Sequence, residues 1–117
     1  MRCNVLLWDS FLKSAEKVIK LYAKAKPDIY DFINYLSENP GSGDAVMGYG
    51  GKIIKDRWKL KSYDIGKRGG LRIYYYFHGG LLAPFFIYTK KQFADAPIEL
   101  IAQLVTDIED GLTPPSS

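Results

Sequence analysis

The chain has 117 residues, with 16 Lys and Arg against 13 Asp and Glu for a formal net charge of +3, one Cys and one His, a balance that fits one globular domain with its own core and excludes a disordered tail. The lone Cys3 closes no intramolecular disulfide and builds no thiolate cluster, and the lone His78 leaves no room for two-histidine acid–base catalysis or a histidine-rich zinc site, so neither a cofactor nor a metal is expected. No apolar run approaches the ~20 residues of a membrane span and no secretory-type apolar core opens the chain, so the expectation is a soluble, cytoplasmic protein without a membrane role.

In chain order, Cys3 to Trp8 is a short apolar run suited to a buried strand, and Asp9-Ser10 is N-cap chemistry for a helix from Ser10. Phe11, Ala15, Val18, Ile19, Tyr22 and Ala23 recur at helical spacing, and Lys13, Lys17, Lys20 and Lys24 fall mostly on the opposite, solvated side. Pro27 ends this helix and starts the next, whose buried stripe is Ile29, Phe32, Ile33 and Leu36, with Asp28 and Asp31 favourable in the first turn. Asn39-Pro40-Gly41-Ser42-Gly43 breaks it. From residue 44 the pattern becomes extended and predicts strands over roughly 52–60, 70–78 and 81–89. His78-Gly79-Gly80 reads as a tight hairpin with His78 an exposed turn residue, and Pro84 requires that the last strand start at Phe85 or carry a bulge or free edge there. Asp95-Ala96-Pro97 opens a final helix with Ile98, Ile101, Val105 and Ile108 on one face, closed by Gly111 and Pro114-Pro115. The expectation is a single α+β domain over residues 1–112 with a short tail at 113–117. Its element order is β-α-α-β-β-β-α, with helices on one face of a mostly antiparallel sheet and the other face open.

Charge is distributed unevenly along this frame. Residues 52–72 hold eight basic side chains against Asp56 and Asp64, whereas residues 92–117 hold five acids and no base. In Arg57-Trp58-Lys59-Leu60-Lys61, strand alternation puts three cations on one face and the apolar pair on the other. That arrangement suits a solvated sheet surface or a polyanion-binding face. Along the next strand Leu71, Ile73, Tyr75 and Phe77 take the core side, while Arg72, Tyr74 and Tyr76 share the side of the cations. Guanidinium groups beside aromatic rings suit phosphates and unpaired bases, although tyrosines that finish a core look the same in sequence. Tyr88-Thr89-Lys90-Lys91 ends the last strand with two more cations. Gly48-Tyr49-Gly50-Gly51 has neither phosphate-loop spacing nor a following helix, and reads as a turn into a strand.

The run Asn39-Pro40, Gly41/Gly43-Asp44, Gly48-x-Gly50-Gly51, Arg57-Trp58, Gly66-Lys67-Arg68-Gly69-Gly70-x-Arg72 with Tyr75, and Tyr88-x-Lys90 resembles the RelE/HigB-like toxins of bacterial type II toxin–antitoxin systems, over roughly residues 28–108. The glycine-rich block ending in Arg72, leading into an aromatic strand, is its most specific part. One departure is internal: five residues, Lys52 to Asp56, stand between Gly50-Gly51 and Arg57-Trp58 where four are expected, and Asp56 adds a carboxylate to the basic strand.

The resemblance implies a RelE/ParE-like fold, an mRNA endoribonuclease acting without metal or cofactor, commonly on the ribosome, and a HigA-like antitoxin partner with a helix-turn-helix domain. It implies a catalytic cluster of Arg72, Lys90, Lys59, Arg57 and Lys55, with Arg72 on the scissile phosphate. It also implies an RNA-binding surface of Lys61, Lys67, Arg68, Tyr74, Tyr76, Tyr88 and Lys91. Crowded cations lower a lysine pKa, so one lysine is expected to take the proton of a ribose 2′-OH. Two other classes share these residues: an RNA-binding domain without catalysis, suggested by a faint RNA-recognition-motif pattern at Arg68 to Tyr74, and an inactive toxin-fold protein that serves an antitoxin repressor.

Overall fold

The computed structural model of the chain describes residues 4–112, so Cys3, the 113–117 tail and the Pro114-Pro115 stop lie outside the described residues. Helix α1, Asp9–Leu21, buries Phe11, Ser14, Ala15 and Val18 along one stripe and leaves Lys13, Lys17 and Lys20 exposed, as the periodicity predicts. It ends before Tyr22, and Ala23 is an exposed turn residue rather than part of the stripe. Its cap differs from the expected one. Extended Trp8 is the N-cap, its carbonyl accepting from the Phe11 and Leu12 amides at 2.9 and 3.1 Å. Asp9 lies in the first turn and pairs with Lys13 at 3.1 Å. Ser10 is used elsewhere, its hydroxyl donating to the Phe85 carbonyl at 2.6 Å.

Helix α2, Lys26–Glu38, carries Pro27 in its first turn and buries Ile29, Phe32 and Leu36. Its buried Asp28 accepts a hydrogen bond from the Ser62 amide at 3.1 Å, which ties a 3-10 turn at Lys61–Tyr63 to the helix.

Five strands form one sheet: β1 (Asn4–Val5), β2 (Asp44–Ala45), β3 (Ile53–Trp58), β4 (Leu71–His78) and β5 (Leu81–Thr89). The spatial order is β1-β5-β4-β3-β2, with β1 parallel to β5 and the other pairs antiparallel. The three long strands match expectation, and the two-residue β2 is an addition too short and polar to show a period. The Pro84 reading holds as a bulge: β4 and β5 shift register between Tyr74, opposite Phe86, and Tyr75, opposite Pro84. Strand β3 is shorter than expected. It stops at Trp58, and Leu60 forms an isolated bridge with Ile65 as the chain turns.

Two corrections concern α3, Ile98–Leu112. Helices do not share one face of the sheet. Phe11, Val18, Phe32 and Leu36 of α1 and α2 pack on Ile54, Leu71, Ile73, Tyr75 and Ile87, while Ile101, Val105 and Ile108 of α3 pack on the alternate residues Ile53, Tyr74, Phe85 and Tyr88. Both sheet faces are therefore covered, the second one in part. Gly111 does not stop α3 but lies within it, where a Cβ would meet the Trp8 ring at 2.6 Å.

Candidate anion-binding site

Strand register brings the basic residues of β3 and β4 together. Arg57 lies opposite Arg72, which lies opposite Tyr88, so one row crosses β3, β4 and β5; the next row runs Lys55, Tyr74, Phe86. These rows face the α3 side, where Tyr74, Phe86 and Tyr88 join the core against the helix and the basic residues continue past it. There Lys55, Arg57, Arg72 and Lys90 line one cavity of about 270 Å³ together with Asp44, Asp56, Ala94 and Asp95.

The glycine-rich block positions Arg72 through close approach. A Cβ on Gly70 would strike the Trp58 carbonyl, so only glycine lets β4 start beside the end of β3 here. Arg72 follows two residues later and is only 6% exposed. Its guanidinium donates to the Gly70 carbonyl at 3.2 Å and the Arg68 carbonyl at 2.5 Å. Both bonds run to main-chain oxygens, and no carboxylate pairs with Arg72 among the described residues. A guanidinium held this way has no carboxylate in direct contact, although Asp44, Asp56 and Asp95 share its cavity, and its fork geometry suits an anion.

The other cations are compensated in part. Lys55 Nζ is 3.2 Å from the Asp95 carboxylate and 5.6 Å from the centre of the Tyr74 ring. Asp44 is its register partner on β2. Asp56 is engaged locally, accepting from the Ser42 hydroxyl at 2.7 Å and the Arg57 amide at 2.8 Å. Burial alone would lower the Lys55 pKa, but the Tyr88 and Tyr74 hydroxyls and the Asp95 hydrogen bond outweigh it, and the ammonium is held above its ordinary value. The expectation of a lysine with a lowered pKa is therefore not met at Lys55. The Tyr74 hydroxyl is also raised, by burial first, with Lys55 acting in the opposite direction. Tyr88 is fully buried, and no partner meets hydrogen-bond geometry at its hydroxyl.

Of the residues expected in the catalytic cluster, the fold gathers Lys55, Arg57, Arg72 and Lys90 in the cavity and leaves Lys59 exposed beyond the end of β3. The wider RNA-binding set does not form one surface. Lys61 sits on the 3-10 turn bonded to α2, and Lys91 lies 5.9 Å from the Tyr22 ring at the end of α1, both apart from the cavity. Lys67 and Arg68 are exposed in the turn before β4, and Arg68 contributes its carbonyl to Arg72. Tyr74 and Tyr88 belong to the core under α3, with Tyr76 packed at its edge beside His78. His78 is exposed as expected, but it is the last residue of β4, opposite Leu81, and the turn is left to Gly79-Gly80.

Asp44, Ala94 and Asp95 are the members that strand parity misses, because they come from a two-residue edge strand and a loop. Among the described residues no group of three His, Cys, Asp or Glu side chains is arranged to hold a metal ion. No helix among them is long and apolar enough to cross a membrane. Compared with protein-family models and with curated proteins, the chain matches none.

Proposed function

We propose that the protein is a toxin of the RelE/HigB-like kind, an endoribonuclease that cleaves mRNA at the ribosome without a metal and is neutralised by a HigA-like antitoxin whose acidic segment covers the cationic cavity. The observation that carries this reading is the convergence of Lys55, Arg57, Arg72 and Lys90 on one cavity, with Arg72 buried and lacking a carboxylate partner. The sequence resemblance places the same arginine on the scissile phosphate.

The chemistry follows from the charges. Arg72, with its fork geometry, holds the non-bridging phosphate oxygens and stabilises the extra negative charge of the pentavalent transition state. Lys55 is held in its charged form and adds to that stabilisation without exchanging a proton. The ribose 2′-OH gives its proton to the Asp95 carboxylate at the cavity wall. The 2′-oxygen then bonds to phosphorus, the P–O5′ bond breaks, and the leaving 5′-oxygen takes a proton from the Lys90 ammonium at the same wall. The products carry a 2′,3′-cyclic phosphate and a 5′-OH.

Incubation of the purified protein with mRNA on ribosomes in the presence of a chelator, followed by mapping of the ends, tests this reading. Cleavage with those ends is expected, and Arg72→Ala is expected to slow it by on the order of a hundredfold, as loss of one transition-state donor does. Products with 3′-OH ends, or strict Mg²⁺ dependence, overturn it. A second reading is favoured by the Lys55–Asp95 pair: a phosphate-binding domain without cleavage, in which the wild-type protein binds RNA and its induction leaves growth unchanged.

A further inference from the structure

Tyr74 links two cavities. Lys55 lies over its ring and belongs to the cationic cavity. Tyr74 itself lines a second cavity of about 250 Å³, with Val46, Met47, Tyr49, Ala96 and Ile98 among its walls. The two are neighbours along the main chain as well: Asp44 and Asp95 line the first, Val46 and Ala96 the second.

The second cavity carries the two most exposed large apolar side chains among the described residues. Met47 is 95% and Ile98 84% exposed, whereas the other exposed ones lie between 36% and 54%. Backbone geometry holds both out. Met47 begins the turn in which Gly48, Gly50 and Gly51 all have positive φ, at 97°, 63° and 80°, and that turn is closed by the Val46 amide on the Ile53 carbonyl at 2.8 Å. Ile98 opens α3 one turn before its buried stripe starts at Ile101. Isolated exposed apolar residues need no explanation, but two on the rim of one cavity beside a cationic one mark a place for a ligand with an apolar part and an anionic part.

We infer that this cavity is a nucleobase subsite, which takes the base of a nucleotide whose phosphate occupies the Arg72 cavity. The inference rests on the RNA-binding reading and deepens it. At about 250 Å³ the cavity is smaller than the ~300–1,000 Å³ of drug-sized pockets, so it suits one planar ring system and not a peptide helix. Tyr49, Met47 and Ile98 offer flat and polarizable surfaces to a base, and Tyr74 links this cavity to Lys55 of the cationic one. No charged side chain lines this cavity, so the discrimination it provides is between ring sizes and stacking strengths.

The test uses unlabelled trinucleotides made resistant to cleavage by 2′-O-methyl groups, in two forms, one with bases and one with the central base removed. Binding is followed by calorimetry at low salt for the wild-type protein and for Met47→Ser/Ile98→Ser, both of whose changes are on the surface. The wild-type protein is expected to bind the base-bearing form about tenfold more tightly, the scale of one stacked base. The double variant is expected to erase that difference and keep the wild-type affinity for the abasic form. Equal wild-type affinity for the two forms overturns the subsite and leaves the phosphate site standing, while no binding of either overturns the RNA reading and the subsite with it. Equal weakening of both forms by the double variant assigns these residues to the shape of the fold and overturns the subsite. So does self-association of the wild-type chain that the double variant abolishes, since the patch is then an interface between copies.

Discussion

On the α1/α2 side of the sheet, Phe11, Val18, Phe32 and Leu36 close over Ile54, Leu71, Ile73 and Ile87, and the polar groups there serve the fold. The Ser14 hydroxyl accepts the Ile87 amide at 3.0 Å, and the Tyr75 hydroxyl donates to the Ser42 carbonyl at 2.5 Å. On the α3 side the same strands present Ile53, Tyr74, Phe85 and Tyr88 to a single helix and then continue past it into Lys55, Arg57 and Arg72. There the Tyr88 hydroxyl interacts with Lys55 without meeting hydrogen-bond geometry, and Arg72 is bonded only to carbonyls. Leaving buried donors and charges incompletely matched is costly, and burial elsewhere in the fold has to offset it. Both sides of the sheet carry a buried core, and on the proposed reading the α3 side also keeps polar capacity for a phosphate.

The largest effect is expected from breaking the α1/α2 side. Phe32 is fully buried and stacks on Trp58 with ring centres 5.2 Å apart. Phe32→Ala is expected to lower unfolding stability by ~3–5 kcal/mol, read from the urea midpoint at unchanged slope.

A smaller effect, on both sides at once, is expected at the junction of β3 and β4. Gly70→Ala forces a Cβ against the Trp58 carbonyl, which costs about 1–3 kcal/mol by overpacking and displaces Arg72, so thermal stability and RNA affinity fall together. Gly69→Ala, whose Cβ would meet the flexible Ile65 side chain at 3.0 Å, is expected to disturb both less.

The smallest effect sharpens the contrast from the functional side. Asp95→Asn removes the partner of Lys55, so the Lys55 pKa falls toward its ordinary value, as nitrogen-detected NMR titration of the side chain measures. Phosphate affinity is expected to rise severalfold, because an incoming phosphate no longer displaces a carboxylate. A pKa raised in the folded chain gives stabilisation that is complete below the unfolded value, ~10.4 for lysine, and is lost as pH rises through the folded one. Lys55 and Tyr74 are both raised, so both act in the same direction: stability is expected to be flat in their contribution at neutral pH and to fall in the alkaline range. Melting curves across that range should show a shallower fall for Asp95→Asn.

Much of the fold was legible because its elements have strong periods. The stripes of α1 and α2, the three long strands and the Pro84 irregularity all follow from spacing and from the missing proline amide. The side taken by α3 did not follow. Ile101, Val105 and Ile108 say that the helix packs on something and not which face receives it. A signal was present in the strands, since Leu81 to Tyr88 is unbroken by any polar residue, which is how a strand covered on both faces reads. At the site, alternation from Lys55 to Arg57 and the tight glycine block ahead of Arg72 identify three of the four cations, and Lys90 follows from the end of β5. Parity carried to Lys59 and Lys61 fails because the strand has ended at Trp58. Asp44 and Asp95 reach the cavity from segments about 50 residues apart with no period of their own, so only the fold brings them together.

The bond from Ser10 to the Phe85 carbonyl joins residues 75 positions apart, and the Ser14–Ile87 bond spans 73. Helix α1 therefore leaves the ribosome more than 70 residues ahead of the strand it lies on. Until β5 follows, its apolar stripe has only α2 to pack on, while β3, β4 and β5 need only near neighbours to pair. The slow step in folding is therefore expected to be the docking of the N-terminal segment on a sheet already formed, so the chain acquires its cationic cavity before it acquires its full stability.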